Sequence, residues 1–184
     1  MAMDEASDRL LVQRTRGGDV NAFGELVQRY QTSVFSVCYR LLGDSAEAED
    51  LAQEAFLRAF RRLASFDAER PFGPWMRRVA ANLCLNMLQQ RRPTPAELDD
   101  EMDEVPGDPR EMPELAGDRA ELVQRVRSGL LRLPDSYRAV IELRHYQDMS
   151  YDEMAAALGI GVGEVRTRLF RARRMMARWL TDDD

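Results

Sequence analysis

A chain of 184 residues with 45% hydrophobic residues has room for one or two small globular domains. Its basic residues are all arginine, and the net charge of −6 argues against strong unaided binding to nucleic acid. Cys38 and Cys84 form no C-x-x-C pair, and the one histidine, His145, leaves no His-based metal cluster or catalytic pair. The acidic N-terminus predicts no signal peptide, and no apolar run approaches the roughly 18 residues of a membrane span. We therefore expect a cytoplasmic protein without metal, cofactor or membrane insertion.

Charge divides the chain into three parts. Residues 1–93 carry a net charge of +1, residues 94–118 carry −9, and residues 119–184 carry +2. The middle part also contains four prolines and two glycines, few apolar residues and no hydrophobic period. This composition predicts a flexible acidic linker between two domains.

The first domain is predicted to be entirely helical. Asp19 can cap a long helix that ends at Gly43, because glycine adopts the left-handed conformation that closes a helix. Asp44 and Glu47 have the spacing of a capping box, in which two side chains satisfy the first backbone N–H groups of the next helix. Pro74 suits the first turn of a further helix.

One face of the helix after Asp44 is polar apart from a single leucine. At 100° per residue this face lies opposite the apolar stripe. Its members are Asp50, Gln53, Glu54, Leu57 and Arg61. Leu57 is out of register with the core, which marks either an interface or an exposed leucine of no consequence.

The helix that contains Pro74 has two interpretations. Arg78 and Asn82 lie on its polar side, while Phe72 and Trp75 near its start could stack on unpaired bases. A solvated helix face, with Trp75 as a core anchor, is the simpler interpretation of the spacing alone. The choice stays open at this level.

The stretch 150–178 predicts a helix-turn-helix whose second helix is rich in arginine. Ser150 and Glu153 form a capping box, and Gly159 suits the tight turn. Residues 160–178 contain six arginines and one acid, a local charge of +5. The pole opposite Val165 carries Thr167, Phe170, Arg171, Arg174 and Arg178. Phe170 among arginines favours DNA binding, for example on a thymine methyl group, over a structural hairpin with solubilising arginines.

Four segments in order resemble the bacterial RNA polymerase sigma factors of the extracytoplasmic-function type. They are GDVNAFGELVQRYQTSVFSVCYRLLGD, AEDLAQEAFLRAF, PFGPWMRRVAANLCLNMLQQRR and LPDSYRAVIELRHYQDMSYDEMAAALGIGVGEVRTRLFRARR. The resemblance implies two all-α domains: residues 1–93 for core polymerase and the minus-ten element, and a helix-turn-helix in 119–184 for the minus-thirty-five element. Residues 94–118 would be the linker between them.

The resemblance also implies roles for the candidate residues. The polar face with Leu57 falls at the polymerase-binding helix. Asn82 falls where the family contacts a flipped base, with Arg78 and Asn86 nearby. Arg166, Thr167, Phe170 and Arg171 fall at major-groove positions. The family commonly has Gly-Thr-Val where this chain has Gly163-Glu164-Val165, so Glu164 either points away from DNA or accepts from a cytosine amine.

The expected partners are core RNA polymerase, promoter DNA and, by resemblance only, an anti-sigma factor. Two other functions remain in view. A conventional helix-turn-helix repressor explains residues 119–184 and leaves residues 1–93 without a role. A helical nucleotide hydrolase would need a phosphate-binding glycine loop, a metal cluster or a nucleophile with a histidine partner, and the sequence shows none of these. We therefore expect a transcription initiation factor that is not an enzyme.

Overall fold

The computed structural model describes the backbone of residues 2–91 and 118–181, and this part of the chain is helical with no β-strand. Its α-helices are α1 Ala2–Arg16, α2 Val20–Leu42, α3 Ser45–Arg62, α4 Phe72–Arg91, α5 Asp118–Arg132, α6 Asp135–Ile141, α7 Tyr151–Leu158 and α8 Val162–Thr181. A 3-10 turn, Leu63–Ser65, follows α3, and a π-helical turn, Glu142–Tyr146, follows α6. The predicted linker 94–118 lies outside the described residues except for Asp118, which begins α5. The domain boundaries therefore stay a prediction.

Local capping accounts for most of the predicted helix ends. The Asp19 carboxylate accepts hydrogen bonds from two backbone N–H groups of the first turn of α2, and Gly43 closes that helix at φ 77°. The Asp44 carboxylate accepts from the backbone N–H of Glu47 at 2.9 Å. The Glu47 side chain, however, pairs with Arg91 at the end of α4, at 2.5 and 3.0 Å. The predicted capping box is therefore only half formed, because a stronger charged partner competes for the glutamate.

The core of the N-terminal domain surrounds α2, which packs against α1, α3 and α4. Cys38 of α2 and Cys84 of α4 are fully buried free thiols. A hydrogen bond with Cys38, together with burial, raises the pKa of the Cys84 thiol. Both cysteines therefore serve as small apolar residues of the core.

An aromatic cluster fixes the start of α4. Phe72 lies 5.5 Å from the rings of Tyr30 and Trp75 and 5.7 Å from the ring of Phe66, measured between centroids. Gly73 leaves room for Tyr30, because a Cβ at Gly73 would lie 2.7 Å from Tyr30 Cε1. The Tyr30 hydroxyl donates to the buried carboxylate of Asp8. Helices α1, α2 and α4 are thus held together where α4 begins.

The C-terminal domain contains the predicted helix-turn-helix. The α7 capping box is complete: the Ser150 N–H donates to Glu153 Oε2 at 2.8 Å, and the Glu153 N–H donates to Ser150 Oγ at 3.3 Å. The pKa of the Glu153 carboxyl is lowered by the Ser150 N–H and by the Ser150 hydroxyl, which donates to the same Oε2 at 3.0 Å. Gly159 adopts φ 66° and ends α7. Helix α8 then buries Val165, Leu169 and Ala172 against the rest of the domain.

None of the described helices combines the length and the apolar character that crossing a bilayer requires. Among the described side chains, no group of three or more His, Cys, Asp or Glu residues is placed to hold a metal ion.

Candidate nucleic-acid interface

The outer face of α8 is exposed and basic. It carries all five residues that the sequence assigned to the minus-thirty-five element: Arg166, Thr167, Phe170, Arg171 and Arg174. Phe170 is 66% exposed, which is unusual for an aromatic ring on a helix with its own apolar stripe. The Arg166 guanidinium lies over the Tyr151 ring, 5.7 Å from its centroid. The Thr167 hydroxyl donates to the carbonyl of Gly163 at 3.0 Å and keeps its oxygen available as an acceptor.

Glu164 is engaged within α8. Its Oε1 accepts a hydrogen bond from Nε of Arg168 at 2.7 Å, and Arg168 is only 8% exposed. This pair holds the Glu164 side chain along its own helix, which favours the possibility that Glu164 points away from DNA. Because the two charges neutralise each other and Arg168 is buried, Arg168 adds no positive charge to the outer face. The exposed face of α8 therefore carries fewer free arginines than the count of six suggested.

The polar face of α4 presents Arg78, Asn82 and Asn86 to solvent. Arg78 Nη2 lies 3.5 Å from Oε1 of Glu153 in α7. Gln89, on the same side of α4, donates to the carbonyl of Leu158 at the end of α7 at 3.3 Å. The three polar residues among the five assigned to the minus-ten element are thus accessible, although Arg78 already has a partner in the C-terminal domain.

The structure corrects the stacking prediction for Phe72. Its side chain is 1% exposed, at the centre of the aromatic cluster, and presents no ring face to a base. Trp75 is half-buried and packs at 4.6 Å on Phe66. A tryptophan in this position can still present one edge or face to an unstacked base, so only Trp75 remains a candidate for stacking.

The outer face of α3 combines polar side chains with two apolar ones. Asp50, Gln53 and Arg61 are exposed, and Glu54 lies 3.8 Å from Arg61. Leu57 is 53% exposed, as its register indicated.

Sequence reasoning missed a second apolar residue on this face. Phe60 is 42% exposed, and its outer edge extends the apolar area that Leu57 begins. The signal that could have found it is the three-residue spacing between Leu57 and Phe60, which places both on one side of a helix. The other edge of the Phe60 ring packs on Phe23 at 5.0 Å.

Comparisons with known proteins identify the family. The family model described as Sigma-70 region 2 matches residues 26–94, and the one described as Sigma-70, region 4 matches residues 124–176. The chain is 36% identical over 179 residues to the ECF RNA polymerase sigma factor SigW of Bacillus subtilis, covering 93% of this chain and 95% of that protein. The chain belongs to the extracytoplasmic-function sigma factors. It is also 39% identical over 177 residues to the ECF RNA polymerase sigma-E factor of Escherichia coli K12, covering 92% of each.

Solved structures of sigma factors share the fold. The structure of CnrH in complex with the cytosolic domain of CnrY has 28% identity and a TM-score of 0.58, and the match covers 97% of this chain and 99% of CnrH. The sigma factor RpoE of Bartonella quintana, solved with the anti-sigma factor NepR, has a TM-score of 0.60 over 88% of this chain and 98% of RpoE. At 22% sequence identity, this similarity shows only that the two proteins share a fold.

The function of the chain follows from its membership of this family. This sigma factor binds core RNA polymerase and directs promoter recognition, DNA melting and transcription initiation. The region 2 match contains all of α3 and α4, and the region 4 match contains all of α6 and α7 with most of α8. The N-terminal domain, to which the repressor alternative gave no role, is therefore part of the sigma factor.

Proposed function

We propose that three exposed faces divide the work of this sigma factor. The outer face of α3 binds core polymerase through Leu57 and the polar residues around it. The outer face of α4 holds the unpaired minus-ten strand through Trp75, Arg78, Asn82 and Asn86, while Phe72 supports Trp75 from the core. The outer face of α8 recognises the minus-thirty-five element through Arg166, Thr167, Phe170, Arg171 and Arg174.

A single observation carries the DNA-binding part of this proposal. Phe170 projects from the basic side of the second helix of a helix-turn-helix with 66% of its surface exposed. Solvation alone does not favour an aromatic ring there, whereas contact with a thymine methyl group in the major groove does. The buried faces of α7 and α8 leave this side as the one that can enter a groove.

The proposal assigns no covalent chemistry to the chain. Its contribution to initiation is the binding of bases that have left the stack, which offsets a cost of about a few kcal/mol for each unstacked step. We infer that it acts in the bacterial cytoplasm, where core polymerase and promoter DNA are found together.

Reconstitution tests the whole assignment. The purified chain added to core polymerase is expected to support run-off transcription from a promoter with both elements, and core polymerase alone is not. The repressor alternative predicts a different result, because a dimer would bind a palindromic site without polymerase. Stable binding of the free chain to such a site, without transcription upon addition of core, would contradict the proposal.

We also propose that a protein partner holds this sigma factor, as the cytosolic domain of CnrY is bound to CnrH in the similar structure. A groove of about 390 Å³ between α2 and α5 supports the proposal. Its lining includes Tyr39, Leu122 and Val123, and the last two side chains are 54% and 43% exposed. An apolar groove of this kind suits the apolar face of a partner helix.

Asn82→Ala is expected to slow strand opening on a duplex promoter by about tenfold to a hundredfold, the cost of one hydrogen-bonded base contact. The defect should be much smaller on a promoter with a pre-melted bubble, because the cost of opening has already been met there. Permanganate footprinting of open complexes measures it. Asn21→Ala is the matched control, since Asn21 is also exposed but lies in the first turn of α2. Normal melting by Asn82→Ala would show that Asn82 is only a solvated residue.

Arg171→Ala is expected to relax the sequence preference at one position of the minus-thirty-five element, with a loss of about 1–3 kcal/mol for the preferred base. Arg174→Ala, on the same exposed face, should instead weaken all promoters alike, as the loss of a phosphate contact does. Selection of promoters from a randomised library by each holoenzyme distinguishes the two effects. An unchanged minus-thirty-five preference with Arg171→Ala would overturn the base contact.

A further inference from the structure

One tyrosine of the C-terminal domain lies beneath two arginines. Tyr151, the first residue of α7, is half-buried, and the Arg166 guanidinium of α8 lies over its ring, 5.7 Å from the centroid. The Arg144 guanidinium, from the π-helical turn, lies over the same ring at 5.5 Å. Both distances are within the roughly 6 Å at which the face of an aromatic ring attracts a cation. The ring therefore connects the π-helical turn to both helices of the helix-turn-helix.

Hydrogen bonds hold the chain that leads into Tyr151. Arg144 donates from Nη1 to the carbonyl of Met149 at 3.0 Å, and the N–H of Met149 donates to the carbonyl of Leu143 at 3.0 Å. Ser150 comes next and belongs to the complete capping box of α7. The backbone before Tyr151 and one of the two guanidinium groups over its ring are thus fixed without any contribution from Arg166.

Arg166 makes its ring contact without using its N–H groups. Among the described residues it has no hydrogen bond and no ion pair. Arg168, on the same helix, instead donates from Nε to the Glu164 carboxylate. The N–H donors of Arg166 are therefore available, and a pair of such donors is what the O6 and N7 atoms of guanine accept in the major groove. The contact with Tyr151 orders this side chain and leaves its donors to DNA.

We propose that Tyr151 is a positioning residue for recognition of the minus-thirty-five element. Its ring holds the Arg166 guanidinium in place before DNA binds, so that Arg166 can donate to a base edge. An arginine that is mobile in the free protein loses the freedom of a long side chain on binding, whereas one already held against a ring loses less. Tyr151 thus favours the preferred base through Arg166. This inference rests on the proposed role of Arg166 on the outer face of α8.

Tyr151→Leu tests the positioning in the holoenzyme. The measurement is the ratio of affinities for two promoters: one selected by the wild-type holoenzyme from a randomised library, and the same promoter with its minus-thirty-five element scrambled. Leucine keeps apolar volume but has no ring face, so the ratio is expected to fall by about twofold to tenfold. Tyr151→Phe keeps the ring face and should retain the wild-type ratio. An equal fall in both variants would show that the tyrosine hydroxyl acts on DNA, and would overturn the positioning role.

Tyr146→Leu is the matched control, because it makes the same change in the same domain at a ring that lies beneath Arg40 of α2, 4.1 Å from the centroid. It should leave the ratio unchanged. Arg166→Ala removes the residue through which Tyr151 is proposed to act. In that background Tyr151→Leu should cause no further fall, since two residues that act as one unit are not additive. A second fall of the same size in the double variant would overturn the proposal.

Nuclear magnetic resonance of the free full-length chain tests the order of Arg166 directly. Relaxation of its ¹⁵Nε, identified by its absence from the Arg166→Ala spectrum, should report a restrained side chain in the wild type and in Tyr151→Phe, and a mobile one in Tyr151→Leu. A mobile Arg166 in the wild type would overturn the proposal without reference to any variant.

Failure of the proposed function gives a separate result. If Arg166 does not read the minus-thirty-five element, Arg166→Ala keeps the wild-type ratio, while relaxation still shows whether Tyr151 orders the side chain. If Arg166 does read it, Arg166→Ala lowers the ratio by about fivefold to a hundredfold, as the loss of a base contact does. A folded Tyr151→Leu variant that then keeps the wild-type ratio would overturn the positioning role alone.

Discussion

Leu57→Glu is expected to abolish the binding of this sigma factor to core RNA polymerase. Leu57 is 53% exposed on the outer face of α3 beside the partly exposed Phe60, so it is available as the apolar centre of an interface. Losing a buried leucine costs about 1.5–3 kcal/mol, and burying an unpaired carboxylate in its place costs about as much again or more. The sum corresponds to a loss of affinity of about a hundredfold to ten-thousandfold. Fluorescence titration of labelled chain with core polymerase measures it.

A leucine on another helix provides the control. Leu10 of α1 is 56% exposed, so Leu10→Glu makes the same chemical change at nearly the same exposure. It should bind core as the wild type does, and circular dichroism should show full helicity for both variants, because neither side chain belongs to the core. Equal binding by Leu57→Glu and wild type would show that Leu57 is an exposed leucine of no consequence. Equal loss in both variants would indicate an effect of charge on the domain as a whole.

The sequence predicted best what is decided within one or two helical turns. Helix ends were predicted correctly at Asp19, at Gly43 and at the capping box of Ser150 and Glu153. A cap needs only its own neighbouring backbone groups, so a local pattern is enough to identify it. Of the capping box predicted for Asp44 and Glu47, only the hydrogen bond from the Glu47 N–H to the Asp44 carboxylate forms. Arg91, distant in sequence and adjacent in space, attracts the glutamate, and no local pattern contains that information.

Residues whose position depends on packing were predicted less well. Arg168 was counted among the arginines of an exposed basic helix, yet it is buried and paired with Glu164, a pairing that the four-residue spacing permits but does not require. The contact of Arg40 with Glu142 joins residues 102 positions apart, across residues 92–117 that the structure does not describe. Hydrophobic periodicity identifies buried faces. It does not show which polar groups meet when two domains pack together.

Phe72 is the clearest case of this kind, and its replacement has the second large expected effect. Phe72→Ala should lower the free energy of unfolding by about 3–5 kcal/mol, since it removes a fully buried ring and leaves a cavity among three aromatic side chains. This is a large part of the roughly 5–15 kcal/mol that stabilises a typical domain. Urea unfolding followed by circular dichroism measures it. Phe170→Ala is the matched control, because that ring is 66% exposed and its loss should change stability by only about 0.5 kcal/mol.

Phe72→Leu separates support from direct stacking. Leucine restores most of the apolar volume but none of the aromatic surface, so a residue that acts by filling the core should recover most of its stability and its promoter opening. A residue that stacks on a base would recover stability and still fail to open the promoter, because base stacking needs the aromatic face. For Phe72→Leu we expect recovery of both stability and promoter opening. For Trp75→Leu we expect stability without promoter opening, because Trp75 is half-buried and is the aromatic residue at this end of α4 that a base can reach. Promoter opening that fails for Phe72→Leu at near wild-type stability would restore the stacking role to Phe72, and would require the cluster to rearrange when DNA binds.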